Sequence, residues 1–502
     1  MATTILFVDL RRCRAPLGWK VWLPHHAGYI SPAETIETVN IATNNFDADT
    51  GMAGGAAQTV VTKSGTNEFH GSAFEFYSGD SLLANTFFNN AFGLKRPPLN
   101  RNTYGGTFGG RIIKDKLFFF ASYENFRDRR TANVNYTVPT DKMRNGDFSE
   151  VAAAKKADGT AAYPTFQLYD PNTGTGPGVG RATFGGFTLP AARLNSISKA
   201  LLSYYPKVNS TQDLNSNFLL DDFVRPQQTK VDRGNYDGKL TYQRSKNHSI
   251  WGKFSTLRAN VTDNYILGFD EGSLGDTKVY VVSVGHTWTL SPTLLLDGNF
   301  GYNRQDQTVT GPDYGKNLGL DLGIPGVNDK NDIRASGLPT FETGLSTIGA
   351  TPNWMPLFRK EQNYSFSSAI TKVFPKHEVR AGVDIVKLTL DHRQAEFGNY
   401  GLKGGFSFSG NITGASGYAP LAWNSFAAFL MGTSSFFAKD TQTETMTGRE
   451  WQNAVYVRDR WRITPNLTVN LGLRLENYPL MKRANSGIER LDPTTYNALL
   501  GG

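Results

Sequence analysis

Runs of alternating apolar and polar residues recur along the chain, and very short turns join them in pairs. In the clearest run, residues 467–475, apolar side chains occupy every second position and polar ones occupy the positions between. Because successive side chains of a strand point to opposite faces, this run predicts a strand with one apolar face. Residues 452–463 alternate similarly and are joined to it by residues 464–466, Thr-Pro-Asn. The two runs predict an antiparallel hairpin.

The same unit occurs four more times, so the sequence predicts five hairpins and at least ten strands. In the fourth of the five hairpins the alternation changes phase near Lys387 and Leu388, which predicts a β-bulge there. The four additional turns are Lys114-Asp115-Lys116, Ser245-Lys246-Asn247, Ser291-Pro292-Thr293 and Pro375-Lys376-His377.

Long connections separate the hairpins, so short and long connections alternate along the chain. The longest, roughly 127–228, is rich in Gly, Pro, Asn and Thr and contains a helix-like spacing at residues 193–205. Strands of about ten residues with this alternation are typical of a transmembrane β-barrel, whereas a soluble β-sandwich has more uniform spacing. Several aromatic residues near predicted strand ends suit a membrane interface. They are Tyr302, Tyr364, Trp451, Trp461 and Tyr478.

Alternation alone does not decide which face is outside. In a membrane barrel the apolar face meets lipid and the charged face lines the lumen, while a soluble sandwich has the apolar face inside. For a barrel we expect the lumen arginines mainly to bond to the wall or to a plug, with steering of anionic ligands as the alternative. The charged residues concerned are Arg458, Arg460, Arg462, Arg474 and Glu476.

The amino-acid composition excludes several classes of protein. The formal net charge of +8 is small and scattered over 502 residues, which argues against a nucleic-acid partner. The single cysteine, Cys13, excludes an intrachain disulfide and a cysteine-based zinc finger. No apolar run approaches the ~18 residues of a membrane-spanning helix. Residues 1–28 place a four-residue apolar run before their arginines, unlike a secretory signal, and stay unassigned.

Motifs for catalysis and for metal binding are weak. Residues 47–51 and 170–174 resemble pieces of calcium loops but lack the distal Glu, so we expect Asx turns instead. The glycines between 174 and 180 lack the Lys-Ser/Thr of a phosphate loop, and the seven histidines include no H-E-x-x-H. We therefore predict no enzyme, no catalytic residue, no metal and no cofactor, and no ligand-binding residue is identified.

Four segments resemble Oar-like TonB-dependent outer-membrane transporters. Residues 58–72, QTVVTKSGTNEFHGS, are similar to that family's passage from the plug into the first barrel strand. Further similarity lies in residues 105–124, 169–206 and 456–474, and together the matches cover about 31–480. The resemblance implies a 22-stranded barrel with an N-terminal plug, which takes nutrients inward with energy from the TonB complex.

The resemblance also implies a division of the chain. Residues 1–28 are unassigned, 29–66 are a remnant of the plug, and 67–502 are an incomplete, antiparallel, all-β transmembrane barrel of about 11–13 strands, with 127–228 as a long extracellular loop. The family's leader, carboxypeptidase regulatory-like domain, TonB box, most of the plug and later strands have no counterpart here. We therefore expect a fragment that is incomplete for transport by itself.

The implied location is the outer membrane of a Gram-negative bacterium. The expected partners are outer-membrane lipid, an unidentified nutrient and, only in a full-length protein, the TonB complex. The alternative from another class is a secreted or surface β-rich protein that binds a ligand such as a glycan and never enters lipid.

Overall fold

The computed structural model describes most of the chain. It covers residues 31–484 with gaps at 44–45, 52–56, 92, 94, 157, 210–218, 267–268, 270–271, 350, 353, 395–399 and 441–443, together with short strands at 3–5, 488–491 and 498–501. Apart from Thr3–Ile5, the unassigned region 1–28 lies outside the described residues.

One sheet of eleven antiparallel strands dominates the structure, and each strand pairs with its neighbours in the chain. The strands are β1 (His70–Gly79), β2 (Leu99–Ile113), β3 (Leu117–Tyr136), β4 (Phe223–Ser245), β5 (His248–Asp263), β6 (Leu274–Ser291), β7 (Leu294–Thr310), β8 (Leu357–Val373), β9 (His377–Arg393), β10 (Met446–Thr464) and β11 (Leu467–Asn477). The predicted antiparallel β fold is confirmed.

All five predicted hairpins are confirmed. The turns connect β2 to β3, β4 to β5, β6 to β7, β8 to β9 and β10 to β11, and each pair is antiparallel. Pro292 and Pro465 lie in two of these turns, between the ends of the paired strands. Proline has no N–H to donate to a ladder, so its position limits where each strand ends.

The predicted bulge near Lys387 and Leu388 is wrong. β9 keeps an unbroken register there, and Lys387 faces Tyr364 on β8 and Trp451 on β10. The Lys387 ammonium lies 5.2 Å from the centre of the Trp451 ring. The polarity of the strand changes at this level because the outward apolar band ends there, and the backbone continues without a slip.

The apolar face of the sheet points outward. Leu471, Leu473 and Leu475 are 53%, 72% and 69% exposed, whereas Asp237 and Ser255, on the opposite face, are 6% and 0% exposed. This arrangement is the reverse of a soluble sandwich, where aliphatic side chains pack inside. It decides the question that alternation left open, in favour of a membrane barrel.

Aromatic residues mark both edges of the outward apolar band. The rings of Tyr302 and Tyr364 lie 5.0 Å apart, and Trp451 continues the same cross-strand row. At the other edge Trp461 stacks on His377 at 5.5 Å. Trp451 and Trp461 are ten residues apart on one strand. At ~3.4 Å per residue and a tilt of about 45°, that separation spans roughly 24 Å, close to the ~25 Å apolar band of outer-membrane barrels.

The long connections pack together into one body, here called the cap: the described residues of 137–222, 311–356 and 394–445. The phenyl rings of Phe148 and Phe426 lie 6.2 Å apart, and the Tyr205 hydroxyl is 2.7 Å from Thr343 Oγ1. All three connections therefore share one core. Its fully buried members include Phe148, Leu168, Leu189, Leu201, Leu338, Ile348, Phe426 and Phe429.

Within the described residues the α-helices are short, and all except α1 lie in the cap. The α-helices are α1 (Phe87–Ala91), α2 (Asp141–Arg144), α3 (Ser149–Ala153), α4 (Ser196–Leu201), α5 (Leu318–Asp321) and α6 (Ala422–Leu430). Single 3₁₀ turns occur at Ala33–Thr35, Asp80–Leu82, Gly185–Phe187, Ala191–Arg193, Leu202–Tyr204, Ile333–Ala335 and Gly410–Ile412. No helix among the described residues is long and apolar enough to cross a membrane.

The longest connection is shorter than the sequence predicts. It covers residues 137–222, because β3 and β4 keep pairing as far as Tyr136 and Phe223. The helical spacing predicted at 193–205 is confirmed as α4, flanked by 3₁₀ turns.

Three small sheets accompany the large one. Thr3–Ile5, Ala57–Thr62 and Ile36–Ala42 form the first, Thr340–Glu342, Gly405–Ser407 and Phe436–Ala438 the second, and Ile488–Leu491 with Ala498–Gly501 the third. β1 and β11 are the edges of the eleven-stranded sheet, so within the described residues it is an open, partial barrel.

Candidate functional site

Polar side chains line the inner wall, defined here as the inward-facing residues of β1–β11. Strand alternation that directs leucines outward necessarily directs the residues between them inward. Several of these inward residues are almost fully buried although they are charged or polar. They include Ser122, Glu124, Asp237, Lys239, Lys253, Ser255 and Ser283. Buried polar groups need partners, and two of these residues, Ser122 and Lys239, find theirs in one segment of the chain.

This segment is called the docked segment here and comprises the described part of residues 31–66. It precedes β1 and contains two strands of the first small sheet, Ile36–Ala42 and Ala57–Thr62. Its polar atoms contact the inner wall at two places, an ionic contact on β9–β11 and a hydrogen-bonded contact on β3–β5.

The ionic contact begins with two arginines that face each other. Arg380 on β9 and Arg458 on β10 are direct cross-strand partners on the inner wall. Like charges in that arrangement repel unless anions lie between them. Asp297 on β7 accepts two hydrogen bonds from Arg380, at 2.6 and 2.9 Å. Glu378 lies 3.7 Å from Arg458.

The docked segment supplies the remaining anions. Asp47 accepts a hydrogen bond of 2.9 Å from Arg458, although 411 residues separate the two in sequence. One carboxylate oxygen of Asp49 lies 3.6 Å from both Arg380 and Arg458, so it bridges the two guanidinium groups. The backbone N–H of Thr50 donates to the Asp47 carbonyl at 2.9 Å, which closes the turn that presents both carboxylates.

Arg474 extends this contact onto β11. Its guanidinium donates to Asp384 at 2.8 Å and to Glu476 at 2.6 Å, and it reaches the Ala48 carbonyl of the docked segment at 3.5 Å. The backbones approach closely here, since a Cβ added to Gly472 would lie only 2.7 Å from the Ala48 Cβ. A larger side chain at position 472 would push the docked segment away from the wall.

The hydrogen-bonded contact involves a buried carboxylate. Thr35 Oγ1 of the docked segment is 2.8 Å from Ser122 Oγ on β3. The Ser122 hydroxyl donates to Asp237 at 3.3 Å, and the Ser255 hydroxyl donates to the same carboxylate at 2.5 Å. The Lys253 ammonium is 3.7 Å from Asp237. The docked segment thus joins a network that satisfies a buried charge.

A buried lysine completes the second contact. The Lys239 Nζ on β4 donates to the Thr62 carbonyl at 2.9 Å. Its side chain is almost fully buried. Burying an ammonium is costly unless it is hydrogen-bonded, so displacement of the docked segment requires water or another acceptor to replace the Thr62 carbonyl.

The structure places the predicted lumen residues as follows. Arg458, Arg474 and Glu476 join the ionic contact, which confirms bonding to the wall and to a preceding segment. Arg460 and Arg462 are exposed on the same face, and within the described residues neither has an ion pair shorter than 4 Å. Sequence reasoning missed Lys239 and Lys253, although each directly precedes an outward apolar residue, Leu240 on β4 and Phe254 on β5, and alternation therefore directs both lysines inward.

The two calcium-like motifs are turns. The carboxylate of Asp170 accepts a 2.9 Å hydrogen bond from the backbone N–H of Asn172 and pairs with Arg193 at 3.0 Å. Asp47 and Asp49 are engaged by arginines, as described above. Within the part of the chain that the structure describes, no group of three or more His, Cys, Asp or Glu side chains is placed to hold a metal ion.

Comparison with known proteins identifies the class of this fold. A family model described as "Outer membrane beta barrel domain" matches residues 61–502. The chain belongs to this family of outer-membrane β-barrel domains.

Among curated proteins, the TonB-dependent transporter Oar of Myxococcus xanthus is 25% identical over 475 residues, which cover 88% of this chain and 40% of the relative. The chain therefore spans less than half the length of that relative. The chain described here is a protein of the outer membrane of a Gram-negative bacterium. The relative is a transporter rather than an enzyme.

Solved structures that the chain matches include the outer-membrane transporter YddB from Escherichia coli. It is 11% identical, with a TM-score of 0.45, and the match covers 89% of this chain and 44% of that chain. The siderophore receptor PirA from Acinetobacter baumannii is 12% identical, with a TM-score of 0.42, and the match covers 89% and 44% of the two chains.

Proposed function

We propose that this chain comprises the end of the plug and the first part of the barrel of a TonB-dependent transporter for nutrient uptake. Residues 29–66 are the plug remnant, residues 67–502 belong to the barrel, and the connection 137–222 faces the outside of the cell. The observation that carries the proposal is the docked segment, whose acidic turn is held on the inner wall by Arg380 and Arg458.

The chemistry of this contact suits a plug that moves. The docked segment is held on a polar wall by ion pairs between partly exposed side chains, which water replaces at small net cost. Its hydrogen bonds to Ser122 and Lys239 are buried, so water must enter there when the segment shifts. A segment held by an apolar core would lose far more on displacement. The polar contact therefore permits the segment to shift while the outward apolar face keeps the strands in lipid.

A soluble glycan-binding protein is the competing function, and membrane extraction separates the two. After sodium carbonate treatment of membranes, we expect the protein to stay in the pellet, because its outward leucines and valines lie in lipid. Release into the soluble fraction would favour the soluble protein and contradict the transporter.

A reversible crosslink tests whether the docked segment moves during uptake. Thr35→Cys with Ser122→Cys places two thiols where the native hydroxyl oxygens are 2.8 Å apart. The background carries Cys13→Ser, so that no third thiol competes. Cells that produce the whole transporter to which this chain is proposed to belong, carrying these substitutions, are supplied with a labelled ferric siderophore, maltooligosaccharide or peptide, with and without a protonophore.

We expect energy-dependent uptake of one of these probes, its loss on oxidation and its return on reduction. The single variant Thr35→Cys in the same background is the control, and it should be insensitive to oxidant. Uptake that is unchanged by the crosslink would show that the docked segment does not move, and absence of energy-dependent uptake for all three probes would contradict the proposed function.

A further inference from the structure

Basic side chains cluster on the outward face at the Tyr302–Tyr364 edge of the apolar band and just beyond it. They come from five consecutive strands, β5–β9, and project on the same side as the outward aromatic residues. We call them the basic belt: Arg258, Lys278, Arg304, Lys360 and Lys387.

Strand register brings the belt together. Arg258 and Lys278 are direct cross-strand partners, and Lys278 in turn faces Asp306. Asp306 faces Lys360 on the next strand. Two cations in direct opposition on adjacent strands repel each other unless an anion lies near both. The pairing of Arg258 with Lys278 therefore creates a position that favours a negatively charged group.

Carboxylates nearby neutralise only part of the belt. Arg304 donates to Asp306 at 2.8 Å, and the Lys278 ammonium is 3.2 Å from Asp276. Asp391, which faces Lys360, is engaged by Arg449 at 2.7 Å.

Three members of the belt keep an unmatched charge. Within the described residues, no carboxylate lies within 4 Å of Arg258, Lys360 or Lys387. Arg258 and Lys360 are exposed, and Lys387 lies against the Trp451 ring. These three charges are available to an anion outside the protein.

The depth of the belt matches lipid headgroups. Lys278 and Arg304 each lie two residues beyond an outward tyrosine, Tyr280 and Tyr302, and Lys360 lies four beyond Tyr364. At ~3.4 Å per residue these offsets are roughly 7 to 14 Å along the strand. Tyrosine rings lie at the boundary between acyl chains and headgroups, so the belt lies in the headgroup layer.

We propose that the basic belt binds the phosphate groups of a phosphorylated glycolipid in the membrane leaflet on the cap side. The inference rests on the proposed location of the strands in the outer membrane. Phosphate oxygens between Arg258 and Lys278 relieve the repulsion of that pair, and Lys360 and Lys387 extend the site to a second phosphate on the same lipid. Charge complementarity at headgroup depth selects a lipid as occupant.

Binding to purified protein tests the proposal without any need for uptake. Detergent-solubilised protein is titrated with diphosphorylated lipid A or with its dephosphorylated form, and bound lipid is measured by native mass spectrometry. The test variant is Arg258→Gln/Lys278→Gln/Lys360→Gln. We expect about a hundredfold weaker binding of diphosphorylated lipid A, from roughly fivefold for each cation removed.

The matched control is Lys372→Gln, which removes one outward cation at the opposite edge of the band, and it should bind like the wild type. The charge-retaining Arg258→Lys/Lys360→Arg should keep most of the affinity. Carbonate resistance and unchanged electrophoretic heat modifiability establish that each variant is inserted and folded.

Three outcomes would overturn the proposal: equal binding of the phosphorylated and dephosphorylated lipids, equal binding by the triple variant and the wild type, or an equal loss in Lys372→Gln. A further arm adds inorganic phosphate at the same phosphate concentration. If phosphate alone displaces the lipid completely, the belt is a small-anion site and not a lipid site. Failure of the transport proposal would instead appear in the extraction or uptake experiments.

Discussion

At the scale of single residues, the outward or inward direction of a side chain decides its chemistry. Val457 and Arg458 are adjacent on β10, yet Val457 is 44% exposed on the apolar face and Arg458 holds the docked segment. The sequence predicts this split from alternation alone. It does not predict the partner of Arg458, because Asp47 lies 411 residues away and within a segment that shows only a turn-forming pattern.

The first prediction concerns depth in the membrane. Val457 lies near the middle of the Trp451–Trp461 interval, while Leu471 lies across from Asp459, close to the Trp461 edge. Val457→Arg should destabilise the inserted protein by about 2 to 4 kcal/mol, and Leu471→Arg by about 0 to 1 kcal/mol. Equilibrium unfolding in liposomes measures both, and equal costs at the two positions would contradict the assigned band.

The second prediction concerns Arg474, which is not a passive lumen residue. Its replacement by leucine leaves Asp384 and Glu476 without their shared cation, so we expect Arg474→Leu to loosen the docked segment while insertion persists. Protease cleavage within residues 31–66 should become faster than in the wild type. Arg460→Leu, on the same wall and without an ion pair in the described residues, is the control, and equal cleavage in the two variants would argue against the contact.

At the scale of elements, the hairpins were predictable and the cap was not. Inside the membrane band every second residue must be apolar, and turns such as Ser291-Pro292-Thr293 interrupt that period clearly. Beyond the band this constraint on polarity disappears. The sequence pattern therefore predicts that β3 ends near residue 127, whereas in the structure its pairing continues to Tyr136. The cap core joins distant connections through scattered residues such as Phe148 and Phe426. Their apolar residues follow neither the two-residue spacing of a strand nor the 3.6-residue spacing of a helix, so the sequence pattern does not predict these contacts.

The third prediction tests the shared core of the cap. Phe426 is fully buried against aromatic residues from two connections, so Phe426→Ala should cost about 3 to 5 kcal/mol of local stability. Hydrogen exchange should become faster in residues 137–222 as well as in α6, and the strands of the barrel should be unaffected. Phe436→Ala, at a side chain that is 52% exposed, is the matched control. Faster exchange confined to α6 would show that the connections fold separately.

The fourth prediction is a pH dependence of the cap. Burial raises the pKa of Asp222 from 3.8 to about 6, despite a 2.8 Å hydrogen bond from the Val138 N–H. A carboxyl whose pKa is higher in the folded than in the unfolded state contributes stability as it becomes protonated. The cap should therefore gain stability as pH falls from about 6 towards 3.8.

Hydrogen exchange of the cap at several pH values, corrected for intrinsic rates, measures this effect. Asp222→Asn keeps an acceptor for the Val138 N–H but cannot titrate, so its cap should gain less stability in that window than the wild type. Burial also raises the pKa of Asp440, and this carboxyl accounts for a remaining gain. The pKa of Asp147 is lowered by the Ser149 N–H, so its contribution is lost only as pH falls below 3.8. A cap that loses stability between pH 6 and 4 would contradict the assignment.

At the scale of the whole molecule, the barrel wall has three layers from outside to inside. An apolar band faces lipid, a ladder of eleven strands separates the two sides, and a polar wall holds the docked segment. The basic belt and the cap lie beyond the same edge of the band, which gives the molecule a direction in the membrane. The central claim beneath all of these is that the aliphatic side chains at every second position meet acyl chains.

Spin labels placed one at a time at residues 379–386 of β9, in the Cys13→Ser background, test that claim most directly. Electron paramagnetic resonance measures how well each label collides with oxygen, which concentrates in lipid, and with a water-soluble nickel chelate. We predict high oxygen accessibility at Val379, Ala381, Val383 and Ile385 and low oxygen accessibility at the positions between them. The opposite phase, or no two-residue period in oxygen accessibility, would contradict the membrane barrel.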